Sequence, residues 1–301
     1  MDRPLGWMVA PVLAASLWGG MYVVSKWGFD AIPPVTLAFA RVALGAAVLL
    51  LVVRVRYPAR AFARREWERL AALGVLVAVS IATQFVGTDL TTASEGALLT
   101  VLTPVFTFIL GILVLGEAIT RQSVSGMLLA FVGTGLVVAG QYDLAALGGG
   151  SGLGVGLLVL ASLTFAGYTV WGAPLIREYS ALETATYSTA IAVPLLGLGV
   201  PIELYIRDTT VGAMPLTVPV LAAIGYLGVF STAVAWYCWY KGLEVVDAGT
   251  VAVFFFAQPL VGAVLGATLL GERLGPGFVA GSALMGVGIY LVSTDTTPST
   301  A

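Results

Sequence analysis

Histidine and asparagine are absent from the 301 residues, lysine occurs twice (Lys26 and Lys241) and cysteine once (Cys238). Without histidine there are no imidazole metal sites, no histidine proton relays and no histidine general base. A single cysteine forms no internal disulfide, and Cys238, set among apolar and aromatic residues, reads as a small buried hydrophobe. No Gly-x-x-x-x-Gly-Lys-[Ser/Thr] loop occurs, so no ATP site is expected, and neither a metal nor a cofactor. A net charge of −2 offers no nucleic acid or other polyanion a docking field. Charge of either sign is scarce, 10% of residues against roughly 25% in a soluble domain.

What fills the chain instead is apolar, 59% of residues, in runs of the ~20 residues that cross a bilayer. The runs predict ten spans at approximately 5–25, 33–53, 70–88, 92–115, 122–140, 152–173, 183–203, 217–240, 247–270 and 277–293. The first, Leu5 to Ser25, is too long for a signal-peptide core and is read as a span. Basic residues orient them. Six arginines lie between Arg54 and Arg69, which sets that segment and both termini inside the cell. Adding Arg3, Arg121, Arg177 and Lys241 makes ten inside, against Lys26, Arg207 and Arg273 outside, with Arg41 left within a span. Glu66, Trp67 and Glu68 in the basic segment fit a stretch lying on the membrane surface.

Slid along itself by 155 residues, the chain matches its own sequence without a gap from Ala93 to Val137. Val114-Leu115-Gly116-Glu117 falls on Leu269-Leu270-Gly271-Glu272, Pro104 on Pro259, Gly126 on Gly281 and Gly133 on Gly288. A fainter echo at 146 residues sets Ser16-Leu17 and Tyr22 on Ser162-Leu163 and Tyr168. The chain thus divides into halves 1–146 and 147–301, each with five spans. An odd number of spans inverts the second copy in the membrane, a plan common among secondary transporters.

Leu17-Trp18-Gly19-Gly20 with Lys26, Pro33-Pro34 followed by Arg41, and the duplicated proline-to-Gly-Glu segments resemble the drug/metabolite transporter superfamily, and within it the EamA-type transporters. That resemblance implies an all-α integral membrane fold, ten transmembrane helices in two inverted repeats around a central cavity. It implies export of amino acids, other metabolites or toxic compounds. The second half departs from the pattern, with Thr164-Phe165 and Thr189 where the first has Trp-Gly and arginine.

Arg41 is expected to face a wet cavity or an acid, because a mid-span arginine in lipid costs at least ~2.5 kcal/mol. Asp89 and Glu95 are its natural partners, and an anionic solute group is the alternative. Pro104 and Pro259 each remove a backbone N–H inside a span, so kinks at the bundle interior are expected, with Thr103 and Gln258 beside them able to bond a polar solute. Trp18, Tyr22, Tyr168 and Trp236 lie deep enough to need interior partners and join Gln84 as cavity candidates. Glu117 and Glu272 are read as caps on neighbouring helix N-termini, and the stripes Gly126/Gly133/Gly140, Gly281/Gly288 and Gly152/Gly156 as close helix contacts.

These residues point to a secondary transporter whose partners are a small organic solute and the lipid bilayer, driven by the solute gradient or by a coupled proton carried on Glu95 or Asp89. A sugar-phosphate or nucleotide-sugar antiporter stays open within transport. A non-transporting membrane subunit and a membrane-embedded lipid enzyme are the rivals from other classes. The enzyme lacks the Asp, His or Ser cluster it would need.

Overall fold

The computed structural model describes residues 8–58, 60–91, 96, 99–141, 151–261, 264 and 276–295. Among them the chain is all helical. Ten rods follow one another: α1 (Val9–Gly28), α2 (Pro34–Arg56), α3 (Arg64–Leu90), α4 (Leu102–Leu115), α5 (Arg121–Gln141), α6 (Gly152–Glu178), α7 (Ala181–Ile206), α8 (Val218–Leu243), α9 (Ala248–Val261) and α10 (Pro276–Ser293). Six of them, α1, α2, α3, α6, α7 and α8, are long and apolar enough to cross a bilayer, and α4, α9 and α10 are shorter apolar helices.

Polar residues are buried within an apolar core while large apolar side chains cover the outside. Arg41, Gln258, Glu183, Glu203 and many threonines and serines are buried, whereas Leu51, Val55, Leu113, Leu128, Leu198 and Val279 stand exposed. Water would penalise such an exterior, and lipid accepts it.

The packing obeys a two-fold rule. Helix α1 packs on α8 as α6 packs on α3, α3 on α7 as α8 on α2, and α4 on α6 as α9 on α1; α2 pairs with α7, α4 with α9, and α5 with α10. Exchanging each helix with the one five places on leaves this set unchanged. Single residues obey it too. Gly74 of α3 lies against Ile191 of α7, and Gly228 of α8 lies against α2, where Gly45 faces it. Gly74 and Gly228 are 154 residues apart, and Gly45 and Ile191 are 146 apart.

Helices α5 and α10 carry the glycine stripes and run antiparallel, Gly126 opposite Gly288 and Gly133 opposite Gly281. In lipid there is little hydrophobic drive between helices, so backbones held this close supply the van der Waals contact instead. The stripe expected on helix six is different: Gly152 and Gly156 face open space, and Gly154 packs against Thr91 and Leu90. The end of the segment read as lying on the membrane surface is helical: Arg64 to Arg69 form the first turns of α3, with the Glu66 carboxylate accepting from the Ala63 N–H.

Proline distorts both copies alike. A turn at Val101 precedes the helix that carries Pro104, and a 3₁₀ stretch, Val253–Phe256, precedes Pro259. A second distortion is confined to one copy. Helix α8 loosens into a π-helical stretch, Tyr226–Val234, where α3 is regular. Leu73-Gly74-Val75 matches Leu227-Gly228-Val229 at 154 residues, while Asp89 and Ala93 match Glu244 and Ala248 at 155. The π stretch thus absorbs the one extra residue of the second copy, since a π turn closes on the fifth residue instead of the fourth.

A side chain at Gly133 would meet the Gly281 carbonyl at 2.6 Å and the Met285 nitrogen at 2.6 Å, both backbone. Gly133→Val is expected to lower the apparent unfolding temperature in detergent by many degrees and to separate α5 from α10. Gly135→Ala, whose side chain would enter open space, leaves it unchanged.

Candidate functional site

The centre of the bundle is organised by Arg41, whose side chain is fully buried on α2. Its Nε donates to Thr232 Oγ1 at 2.9 Å, one terminal nitrogen to the Ser231 carbonyl at 3.1 Å, and the other to Met21 Sδ at 2.8 Å. The guanidinium lies 5.3 Å from the centroid of the Phe85 ring. Among the described residues no carboxylate reaches it. Asp89, read as a partner from the sequence, pairs with Arg207 at 2.5 Å at the end of α3, and Glu95 lies outside the described residues.

Ser231 and Thr232 sit in the π stretch of α8, so the extra residue of the second repeat is where the arginine of the first is held. The Ser231 carbonyl also accepts from Trp18 Nε1 at 2.8 Å. Carbonyl, hydroxyl and sulfur are all neutral acceptors. They hydrate the cation in place of water without cancelling its charge.

Beside Arg41 is a small cavity of about 30 Å³, room for about one water. Of the residues read from the sequence, Trp18, Arg41, Gln84, Thr103, Trp236 and Gln258 line it, joined by Met21, Ser80, Thr100, Ser162, Phe165 and Phe255. Tyr22 stands one layer behind, its hydroxyl bonded to Thr100 Oγ1 and accepting from Gln84 Nε2 at 2.9 Å. Tyr168 is also behind the wall, stacked on Tyr240 at 4.8 Å and 5.6 Å from Trp236. Pro104 and Pro259 follow directly on Thr103 and Gln258 and set their direction. The walls are paired through the two-fold: Ile81 with Trp236, Thr100 with Phe255 and Thr103 with Gln258, each 155 residues apart. Trp18 meets Phe255 at 5.2 Å, Phe165 at 5.5 Å and Trp239 at 5.4 Å, an aromatic wall facing the polar one. The buried Gln258 Nε2 has no hydrogen-bond partner.

Ion pairs and helix caps join neighbouring helices at both ends of the bundle. At one end Arg207 of α7 holds Asp89 of α3, and Glu203 accepts from the N–H groups of Val35 and Thr36 at 2.8 and 2.7 Å, capping α2. At the other, Arg69 pairs with Glu178 at 2.8 Å and Arg177 with Asp247 at 3.7 Å. Glu117 caps α9 there, as its position predicts, accepting from Ala248 N at 2.7 Å and Gly249 N at 3.0 Å. Gly116, with φ of +67°, turns the chain so that the carboxylate can reach. Glu272 lies outside the described residues. Sequence reasoning missed the caps by Glu203 and by Glu244, which accepts from Ala181 N at 3.0 Å, because such pairs join residues far apart in the chain.

Helices joined in two copies, apolar outside and polar at the centre, define a multi-pass membrane protein. The EamA-like transporter family matches residues 5–139 and again 152–294, and the chain belongs to that family. An uncharacterized transporter of Archaeoglobus fulgidus is 27% identical over 292 residues, 95% of this chain and 98% of that protein. The uncharacterized transporter YyaM of Bacillus subtilis is 25% identical over 246 residues, 81% of this chain and 79% of that one. One crystal structure of a protein superposes with a TM-score of 0.76 over 97% of both chains at 17% identity, a likeness of fold.

Two substitutions probe this site. Thr232→Val keeps the side-chain shape and removes the acceptor of Arg41 Nε; a loss of about 1.5–3 kcal/mol in unfolding free energy is expected, measured by denaturant titration in micelles. Burial pushes the Glu117 carboxyl above the ordinary 4.5 and the charge of Asp247 adds to this, against the two N–H bonds and Arg177, which lower it. The folded chain holds this proton more tightly than the unfolded one, so the contribution to stability is complete below pH 4.5 and fades as pH rises through the folded value. Thermal unfolding of the wild type should weaken over that window, and Glu117→Gln should lack this component.

Proposed function

We propose that this chain is a ten-span secondary transporter of the cell membrane, its halves 1–146 and 147–301 inverted relative to each other, both termini cytoplasmic, exporting small organic solutes by alternating access. The observation that carries the reading is a central cavity lined at equivalent positions of both repeats, with ion pairs at either end of the bundle. A cavity on a pseudo-two-fold axis sees the same surroundings from both sides, so rocking one half against the other exchanges two states of similar energy. Its volume of about 30 Å³ is far below the ~300 Å³ a drug-sized ligand needs, so the lining helices have to part to admit one.

In this reading Trp18, Arg41, Gln84, Thr103, Trp236 and Gln258 contact the solute, Tyr22 and Tyr168 support the wall, and Pro104 and Pro259 let the lining helices bend. The glycine contacts of α5 with α10 support the inverted arrangement, because copies of one helix lie antiparallel. The end facing the cytoplasm is the one with Arg69 and Arg177, in accord with the basic-residue count. Energy comes from the solute gradient or a coupled proton.

Purified protein in liposomes loaded with a panel of amino acids, organic acids and amines should show saturable counterflow. Acidifying the outside should accelerate efflux if a proton is exchanged; flux indifferent to the pH gradient eliminates that version, and no flux for any member of the panel overturns the transport reading.

A further inference from the structure

The geometry points to a solute of one defined charge: the central cavity binds an organic monoanion, a carboxylate carried on an aromatic or apolar body, in preference to its neutral or cationic counterparts. This rests on the transport reading for its purpose but on the cavity alone for its evidence.

A guanidinium carries five N–H groups, and Arg41 commits three of them, to Thr232, Ser231 and Met21, the last through a sulfur that is a weak acceptor. The guanidinium lines a cavity in which, among the described residues, no side chain is acidic. The second observation is independent: the Gln258 amide, buried on the same cavity and contributed by the other repeat, has an Nε2 with no acceptor at all. A buried donor without a partner is costly, and an unmet amide N–H beside a guanidinium held only by neutral acceptors calls for an acceptor-only group. A carboxylate is such a group, with two oxygens and about four lone-pair positions. It would also neutralise the arginine in a medium where an uncompensated charge is least tolerated. Trp18, Phe165 and Phe255 offer ring faces to the rest of the molecule. A single base matches a single negative charge, so a phosphate dianion would leave charge unmet, and an ammonium would meet a cation that no acid among the described lining residues offsets.

Three probes of one shape separate the charge from the ring: phenylacetate, phenylacetamide and phenethylamine. Binding of each to the full chain in lipid nanodiscs, read by quenching of the tryptophan emission, should give phenylacetate an affinity about tenfold or more above the other two. Arg41→Gln should erase that preference and Gln258→Leu should reduce it. If Arg41→Gln does not fold, the wild-type series alone decides. Equal or tighter binding of the amide or the amine, or no saturable phenylacetate binding, overturns the proposal. Counterflow of the same probes in liposomes keeps the two readings apart. Phenylacetate preference without flux defeats transport and leaves this site standing, while flux favouring phenethylamine defeats this site and leaves transport standing.

Discussion

A guanidinium held away from water by neutral acceptors is the interaction on which the centre of this protein depends. Placing Arg41 inside an apolar bundle requires that its hydration be rebuilt from protein atoms, and those atoms come from other helices: Met21 on α1, and Ser231 and Thr232 on α8. The requirement therefore joins the two repeats at their shared centre. It also orients Trp18, whose indole N–H shares the Ser231 carbonyl. The regular helix of α3 has no counterpart to this arrangement, because the π stretch that carries Ser231 and Thr232 exists only in the second copy.

Around that centre the molecule is assembled from contacts made twice. Glycine at Gly74 and Gly228 lets α3 and α8 approach α7 and α2, and glycine at Gly126, Gly133, Gly281 and Gly288 joins α5 to α10. Symmetric packing with an asymmetric interior is what a duplicated transporter needs. In the transport reading proposed above, the shared scaffold brings two conformations close in energy and the divergent lining selects the solute. Threonine opposite glutamine at 103 and 258, and threonine opposite phenylalanine at 100 and 255, are that divergence in the cavity wall.

Much of the candidate site was legible beforehand because the membrane makes polar residues conspicuous. An arginine, a glutamine or an indole inside an apolar run has few inexpensive explanations, and Trp18, Arg41, Gln84, Thr103, Trp236 and Gln258 were found that way. Apart from Thr103, which stands beside Pro104, the serines and threonines of the wall were overlooked for the opposite reason. A short hydroxyl can satisfy itself on a carbonyl of its own helix, as Thr107 does on Thr103 and Thr100 on Gly96, so its presence in an apolar run is no signal. Ser80 and Ser162 instead donate to the carbonyls of Ala161 and Leu99 on other helices, which the sequence does not show. The change of offset from 154 to 155 was the one trace of the π stretch, and it appears only once Gly74 and Gly228 are known to be equivalent.

Composition and self-similarity alone determined that the chain is helical, membrane-embedded and duplicated, because hydrophobic length and internal repetition are properties of the linear sequence. Only the tertiary structure decided who partners whom. Asp89 binds Arg207 and not Arg41, Glu203 and Glu244 cap helices far away in the chain, and Gly154 rather than Gly152 makes the close contact. Such choices depend on the rotation of each helix about its axis and on a one-residue π insertion that turns every later side chain of α8. Those angles arise from packing against neighbours, and no single helix encodes them.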